Sequence, residues 1–255
     1  MWFIADDSSK PVITAEKHVR SPHRACHMQL PETAVVFFLG YGTEYLAEKY
    51  HAEKQPELFP RFLNSCPVWT MTDPEICFLN GGGGAPQAAD TVETLAVLGV
   101  KNIIAVGLCG GFSGKVQPGE IITPEKAFVE EGTSLHYFES AEAAYPDPEM
   151  LRMTADRFAI RTWPIVSTDA VYRQTFRKEQ LWRDQGAVAA DMEVSAVFNV
   201  ARYLGLRAVA LMMISDIHPE TPDGPRWEWK MTREMRYRMA DHAADLAREL
   251  KSQPI

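Results

Sequence analysis

Two acidic motifs, each directly after an apolar segment, constrain the fold of this chain most strongly. Residues 187–219 read AVAADMEVSAVFNVARYLGLRAVALMMISDIHP. An apolar strand ends at Asp191-Met192-Glu193, a helix follows, and a second apolar strand ends at Ser215-Asp216. This order predicts a βαβ unit in a parallel sheet, where ligands bind beyond the carboxyl ends of the strands. Alternatively, each acid only caps the N-terminus of a helix, where carboxylates are favoured in any protein.

The alternation of strands and helices extends along most of the chain. Apolar runs predict strands at 34–40, 102–106, 120–129 and 207–214, and periodic segments predict helices at 43–50, 87–98, 148–158, 194–204 and about 232–250. Repeated βα units predict an α/β fold with a single domain, in which a central, mostly parallel, twisted sheet is flanked by helices. Residues 1–30 lack clear periodicity, which predicts an N-terminal arm or an edge strand for this segment. The domain is therefore assigned to 31–255.

Charge and cysteine placement exclude several classes of function. The formal net charge is −8, which argues against nucleic acid or an anionic membrane as the main partner. The cysteines form neither a CxxC motif nor a cluster with histidine, which favours reduced thiols in a cytoplasmic protein and predicts no metal site. Apolar runs stay well short of the roughly 20 residues that span a bilayer, and residues 1–10 do not resemble a secretory signal.

A run of four glycines, Gly81–Gly84, lies between a predicted strand and a predicted helix. Phosphate-cradling turns have this placement. However, Pro86 replaces the third glycine of a dinucleotide motif, and no acid ends a neighbouring strand, so no nucleotide cofactor is expected. The turn could still offer backbone N–H groups to an anion or a sugar hydroxyl, or it could simply be a tight turn without a ligand.

Taken in order, several landmarks resemble the nucleoside phosphorylase superfamily, which includes purine nucleoside phosphorylases, uridine phosphorylases and purine-releasing nucleosidases. The resemblance covers roughly residues 35–251. Its landmarks are Gly40, the Gly81–Pro86 turn, the segment from Gly99 to Gly111, Gly119-Glu120-Ile121 and the two acidic motifs. It implies the fold of that superfamily, cleavage of the N-glycosidic bond of a nucleoside and no cofactor. It also implies a homo-oligomer, a dimer or a trimer of dimers, with pockets at dimer interfaces.

The resemblance assigns roles to the acidic motifs. Glu193 resembles the carboxylate that accepts the ribose hydroxyls and stabilises positive charge on the sugar, and Met192 the residue that packs against the ribose. Asp216 resembles the acid that protonates a purine at its five-membered ring, with Ser215 orienting it. Since uridine-specific members lack this Ser-Asp pair, a purine is the expected base. Apolar neighbours in the strand are expected to raise the pKa of Asp216, and Asp191 replaces a glutamate of the family.

Further positions around the substrate also follow from the resemblance. Tyr172 is the expected stacking partner of the base, in preference to Val171, unless it is merely buried. His23 resembles a histidine that reaches the 5′ end of the sugar from a neighbouring subunit, although a surface loop histidine has the same local sequence. The glycines expected to contact the substrate are Gly40, Gly83 and Gly107.

The chain differs from the phosphorylases of this superfamily at the positions that bind phosphate. Glu44 and Ala105 stand where phosphorylases carry arginines, and Leu108 stands where a hydroxyl is usual. Loss of two guanidiniums removes the donors that hold a phosphate dianion. Glu44 instead resembles a glutamate that helps nucleosidases hold the attacking water. We therefore expect hydrolysis of a purine nucleoside by Glu44, Glu193 and Asp216.

Two alternatives stay open at the level of sequence. The chain is a phosphorylase, with inorganic phosphate as co-substrate, if arginines elsewhere restore a phosphate site; the candidates are Arg20, Arg24, Arg61 and Arg173. A uridine phosphorylase is the less favoured form of this alternative. The second is a binder of nucleosides that has kept the fold and lost turnover.

Overall fold

In the computed structural model, residues 3–4 and 7–252 are described, and within them seven α-helices alternate with ten strands. The helices are α1 (Ala15–Val19), α2 (Gly42–Lys49), α3 (Ala85–Val97), α4 (Pro148–Phe158), α5 (Phe176–Asp184), α6 (Val194–Tyr203) and α7 (Arg233–Ser252). The strands are β1 (Thr33–Phe37), β2 (Glu53–Lys54), β3 (Val68–Thr72), β4 (Glu75–Asn80), β5 (Asn102–Gly111), β6 (Ile121–Glu130), β7 (Ala143–Ala144), β8 (Arg161–Thr168), β9 (Ala189–Asp191) and β10 (Arg207–Ile217). Short 3₁₀ helices lie at Thr133–His136 and Val171–Arg173.

The strands form one sheet in the order β10-β6-β8-β9-β5-β1-β4-β3-β2, with β7 on the edge of β6. Because β10 also pairs with β5, the strands β5, β9, β8, β6 and β10 close into a ring. The α/β class and the single sheet flanked by helices are confirmed. The sheet is mixed rather than mostly parallel. Within the ring, β9 and β10 pair antiparallel with β5 and β6, respectively, and outside it the pairs β2–β3, β3–β4 and β6–β7 are also antiparallel.

Ring closure changes how the two acidic motifs come together. In a simple βαβ unit, β9 and β10 would be parallel, but β9 is antiparallel to β5, whereas β10 is parallel to it. Gly110 of β5 pairs with Ala190 on one side and with Asp216 on the other. The motifs therefore meet across the end of β5.

The core occupies both faces of the sheet. Along β5, Ile103 and Ala105 pack on the face that carries α3 and α6, while Ile104 and Val106 pack on the face that carries α2 and α7. Alternate residues of a strand point to opposite faces, and a strand covered on both sides is apolar throughout. This explains why the central strands read as continuous apolar runs.

The first thirty residues contain a helix rather than an edge strand. Thr14 caps α1 by accepting a hydrogen bond from the backbone N–H of Lys17 at 3.1 Å. Val19 and Leu30 are buried in the same core cluster as α3, and the N–H of Leu30 bonds the carbonyl of Leu98 at 2.9 Å. The second half of the expected arm is thus packed on the domain.

Several element boundaries differ from the pattern-based expectation. Strands β5 and β10 extend to Gly111 and Ile217, beyond the expected ends at 106 and 214, because they pair with each other over that length. The two-residue strands β2 and β7 are too short for a periodic signal. Among the helices that the structure describes, none combines the length and apolar character needed to cross a membrane.

Candidate active site

A cleft of about 440 Å³ opens where β5, β9 and β10 end. This volume is within the range that small-molecule ligands occupy. Among the described residues that line it, none is a lysine or an arginine. Its ionisable side chains are the carboxylates of Glu179, Asp191, Glu193 and Asp216, the imidazole of His218 and the thiol of Cys109. Such a concentration of acids suits positive charge in a ligand or a transition state.

Glu193 lies at the start of α6 and faces the glycine turn. Its Oε1 accepts a hydrogen bond of 2.7 Å from the backbone N–H of Gly84. Burial raises the pKa of Glu193, and the nearby charge of Asp191 raises it further. The adjacent Met192 also lines the cleft. Glu193 therefore offers a carboxylate whose second oxygen can receive a ligand hydroxyl.

The glycine turn uses its N–H groups within the protein. Gly81, Gly82 and Gly83 donate to the carbonyl of Phe37 and to the side chains of Asn80 and Gln87, at 2.8, 2.8 and 2.7 Å. With Gly84 bonded to Glu193, all four donors have acceptors. The turn thus acts as a support for Glu193 in this structure, and Gly83 does not line the cleft.

Asp191 caps the N-terminus of α6, which is the alternative role that the sequence left open for the acids of the two motifs. Its Oδ2 accepts from the backbone N–H groups of Glu193 and Val194 at 2.9 and 2.7 Å, and its Oδ1 accepts from the hydroxyl of Ser167. Burial raises its pKa despite these bonds. Asp191 lines the cleft, yet its oxygens are occupied by the protein.

Asp216 is 3% exposed and has donors on both oxygens. Ser215 donates to Oδ1, while Trp227 Nε1 and His218 Nε2 contact Oδ2, the latter at 3.2 Å. The expected rise in the pKa of Asp216 is wrong. Burial does raise the pKa, but the hydrogen bonds from these three residues outweigh it and lower the value below that of an ordinary aspartate.

His218 connects Asp216 to a second buried acid. Its Nδ1 lies 2.7 Å from Oε1 of Glu179, which is on α5 and is 5% exposed. Sequence patterns did not indicate Glu179, because it is distant from the acidic motifs along the chain. His218 had a usable signal, since it follows Asp216 by two residues at the end of the same strand.

The aromatic side chains that line the cleft are not the one expected from sequence. Tyr172 is 96% exposed and does not line the cleft, whereas Val171 does. Both belong to one turn of 3₁₀ helix, in which successive side chains diverge by about 120°. Aromatic surface comes instead from Phe38, Trp227 and Trp229. In this chain the rings that line the cleft follow β10 and β1.

Other expected site residues lie outside the cleft of the single chain. Glu44 is exposed on α2, where the hydroxyl of Thr43 donates to its carboxylate at 2.9 Å. Gly40 is exposed after β1. Gly107 is buried within β5, where a Cβ would come within 2.9 Å of Met212 Cε. His23 is exposed in a turn that follows α1.

Arg61, one of the arginines considered for phosphate, has a structural role. It is 2% exposed, and its guanidinium donates to the carbonyls of Asn64 and Asn80 and to the hydroxyl of Thr91. It fastens the end of β4 to α3, below the glycine turn.

Within residues 3–4 and 7–252, no group of three or more His, Cys, Asp and Glu side chains is placed to hold a metal ion. All four cysteines are buried, and none of them forms a disulfide. Burial raises the pKa of the Cys109 thiol, the one that lines the cleft.

Two curated proteins that resemble this chain are named as nucleoside phosphorylases. The chain is 35% identical over 148 residues to a guanosine phosphorylase of Halorubrum lacusprofundi, and 30% identical over 130 residues to a DeoD-type purine nucleoside phosphorylase of Clostridium beijerinckii. These matches cover 56% and 49% of the chain. They span 61% and 55% of the two curated relatives.

Solved structures share the fold. An AMP nucleosidase from Bacteroides thetaiotaomicron matches with a TM-score of 0.69 at 21% identity, covering 88% of the chain and 91% of the nucleosidase. A uridine phosphorylase from Vibrio fischeri matches with a TM-score of 0.70 at 24% identity, covering 88% and 93%. The family model described as the phosphorylase superfamily matches residues 32–251. The chain therefore belongs to the phosphorylase superfamily.

Proposed function

We propose that this protein cleaves the N-glycosidic bond of a purine-type nucleoside and that water is the nucleophile. The observation that carries the proposal is the composition of the cleft. Four carboxylates and one imidazole line it, and no lysine or arginine does so among the described residues. This set suits a reaction whose transition state is positive on the sugar.

The two ends of the cleft fit the two halves of the reaction. As the C1′–N9 bond breaks, its electron pair leaves with the base and positive charge grows on the ribose. Glu193, bonded to Gly84 through one oxygen, holds a carboxylate for the ribose hydroxyls and the developing cation. Asp216 provides the route by which the departing base gains a proton. A water oxygen forms the new bond to C1′ and releases one proton, so charge and atoms balance.

Electrostatics favour water over phosphate in this cleft. A dianion beside ionised carboxylates is repelled by about 4 kcal/mol per unit charge pair at 4 Å and an effective dielectric constant of 20. Arginine donors that would compensate do not line the described cleft. The proposed role of Glu44 in holding the water rests on family resemblance and on its place on the helix that follows β1, although Glu44 does not line the cleft of the single chain.

Phosphorolysis is the second candidate, and one observation favours it. The guanidiniums of Arg233 and Arg236 lie 5.4 and 5.3 Å from the ring centre of Tyr41, beside Gly40 and the start of α2. In the described part of the chain, Nε of Arg236 is buried without a hydrogen-bond partner. A phosphate at this loop would find two arginines supplied by α7, and the curated relatives are named as phosphorylases.

Release of the base from guanosine and inosine, with and without phosphate, separates the two candidates. Hydrolysis predicts equal rates and free ribose as the product, whereas phosphorolysis predicts strict phosphate dependence and ribose 1-phosphate. Replacing both Arg233 and Arg236 by Gln should leave a hydrolase unchanged and abolish the phosphate response of a phosphorylase. Arg152→Gln, on the exposed face of α4, is the matched control.

A nucleoside binder without turnover is tested with Asp216→Asn. If the protein is an enzyme, Asp216→Asn loses most of the rate of base release. If it is only a binder, the wild type and Asp216→Asn both bind guanosine with the same affinity in calorimetry and neither releases the base.

We also propose a homo-oligomer, a dimer or a trimer of dimers, on the basis of the family. Sedimentation equilibrium measures it, and a strict monomer at micromolar concentration would contradict it.

A further inference from the structure

A continuous chain of polar contacts runs from the base end of the cleft into α5. Oδ2 of Asp216 lies 3.2 Å from Nε2 of His218, and Nδ1 of the same ring lies 2.7 Å from Oε1 of Glu179. The imidazole thus bridges two carboxylates, one at the substrate end and one buried behind it. Neither the motifs in the sequence nor the proposed function assigns a role to Glu179 or His218.

The bridge is held from several directions. The backbone N–H of His218 donates to the carbonyl of Gly111 at 2.7 Å. Glu179 accepts from Nε2 of Gln174 at 3.1 Å, and its second oxygen lies 3.8 Å from a guanidinium nitrogen of Arg183. A Cβ at position 110 would come within 2.7 Å of Nε2 of His218. The glycine at this position is what leaves room for the ring.

With both carboxylates ionised, this geometry requires a protonated ring. Both ring nitrogens face carboxylate oxygens, and only an imidazolium has a hydrogen on each nitrogen. A neutral ring would direct one lone pair at a carboxylate. Burial alone lowers the pKa of His218, but the hydrogen bonds to Asp216 and Glu179 and their charges raise it to about 9.

We propose that His218, held by Glu179, is a positioning residue that supplies, through Asp216, the proton taken up by the departing base. This inference rests on the proposed cleavage of a purine nucleoside and holds for either nucleophile. The proton leaves Nε2 of His218, passes through the Asp216 carboxylate and binds to the five-membered ring of the base. The electron pair of the C1′–N9 bond leaves with the base, and the neutral imidazole regains a proton from solvent.

The other donors to Asp216 do not fit this role. The hydroxyl of Ser215 and the indole N–H of Trp227 orient the carboxylate, but neither loses its proton near neutral pH. A histidine is the side chain that exchanges a proton in this range. The charged and titratable groups around the ring are Asp216 on β10, Glu179 and Arg183 on α5, and Asp191 and Glu193 across the cleft, while β5 contributes the thiol of Cys109 and the backbone of Gly110.

The first experiment titrates the imidazole of His218 by NMR in the whole protein without substrate, assigning the resonance with His218→Gln. We expect the ring to titrate near 9 in the wild type and at least about one unit lower in Glu179→Gln, which removes the charge while keeping an acceptor. Asp184→Asn, exposed on the same helix, should leave the value unchanged. A ring that titrates near 6.5 in both wild type and Glu179→Gln would overturn the proposal.

The second experiment compares guanosine with 7-methylguanosine, whose five-membered ring already carries a positive charge and needs no proton to leave. We expect His218→Gln to lower kcat for guanosine by about 100-fold and to lower it far less for 7-methylguanosine. In the wild type, kcat for guanosine should fall above about pH 9, and this fall should move to lower pH in Glu179→Gln. His27→Gln, which changes an exposed histidine that does not line the cleft, is the control.

The two kinds of failure are distinguishable. If His218→Gln loses rate equally on both substrates, and the pH dependence keeps its shape, His218 is structural and the proposal is overturned. If the wild type releases no base from any purine nucleoside, with or without phosphate, the proposed function fails. The titration of His218 still decides whether the Glu179–His218–Asp216 bridge holds a proton.

Discussion

The carboxylate of Glu193 accepts a hydrogen bond of 2.7 Å from the backbone N–H of Gly84, a residue 109 positions earlier in the chain. Gly84 has φ of 78°, in the left-handed region that favours glycine. The contact joins the glycine turn to the first acidic motif. A turn with the placement of a phosphate-cradling loop thus orients a carboxylate.

Replacing Glu193 by Gln tests this arrangement. The amide oxygen can still accept from Gly84, but the negative charge opposite the sugar is lost, so we expect kcat to fall by about 100-fold. Thermal stability should be unchanged or higher, because burial and Asp191 already disfavour the ionised form of Glu193. Base release and thermal unfolding measure the two effects. Glu48→Gln, exposed on α2, is the control, and retained activity in Glu193→Gln would contradict the assignment.

Removing the side chain of Asp191 should lower stability. Asp191→Ala leaves the hydroxyl of Ser167 and the N–H groups of Glu193 and Val194 without their acceptor. We expect a loss of about 1–3 kcal/mol in the free energy of unfolding, measured by urea denaturation. Asp156→Ala, which breaks only an exposed ion pair, should change it by less than about 0.5 kcal/mol. Equal effects for the two variants would show that the cap is dispensable.

The indole of Trp227 shares an oxygen of Asp216 with the proposed path of the proton. Because Trp227 Nε1 donates to Oδ2 of Asp216, a purine that binds this carboxylate, as we propose, would compete with the indole. Trp227→Phe keeps an aromatic ring and removes the donor, so we expect KM for guanosine to fall by about 3-fold to 10-fold with kcat little changed. Trp229→Phe, at the neighbouring part of the cleft, provides the comparison. A rise in KM for Trp227→Phe would mean that the indole binds the substrate instead.

The bridge formed by His218 predicts a pH dependence of stability. The pKa of this ring is raised from 6.5 to about 9 in the folded protein. The contribution of the protonated ring to the free energy of unfolding is therefore fully present below pH 6.5 and is lost as pH rises through about 9. The difference in Tm between wild type and His218→Gln should be larger at about pH 7 than at about pH 10. A difference that stays constant over this interval would rule out the raised pKa.

Much of the fold was readable from sequence. Apolar runs such as 102–106 located the central strands, because a strand covered on both faces has no polar alternation. The helix at 148–158 was predicted with the bounds that the structure shows, since Asp147 caps it and Pro148 suits the first turn. The two-residue strands escaped notice because they have no periodicity.

The site was readable only in part. Asp191, Met192, Glu193, Ser215 and Asp216 all line the cleft, as their positions at strand ends indicated. The pKa of Asp216 was misjudged, because its donors include His218 and Trp227, which local sequence does not connect to it. Tyr172 was preferred to Val171 on aromatic character alone, whereas the orientation of a 3₁₀ turn decided which side chain faces the cleft.

The sequence by itself determined the alternation of strands and helices, the two acidic strand ends and the absence of arginines at the expected phosphate positions. These are local properties, since hydrophobic period and residue type are read over a few neighbours. Only the tertiary structure decided that β9 reverses to meet β5, that Glu193 faces Gly84, and that Glu179 reaches His218 across 39 positions. Such contacts depend on how the strands close into a ring, and strand pairing between distant segments leaves no mark in the local pattern.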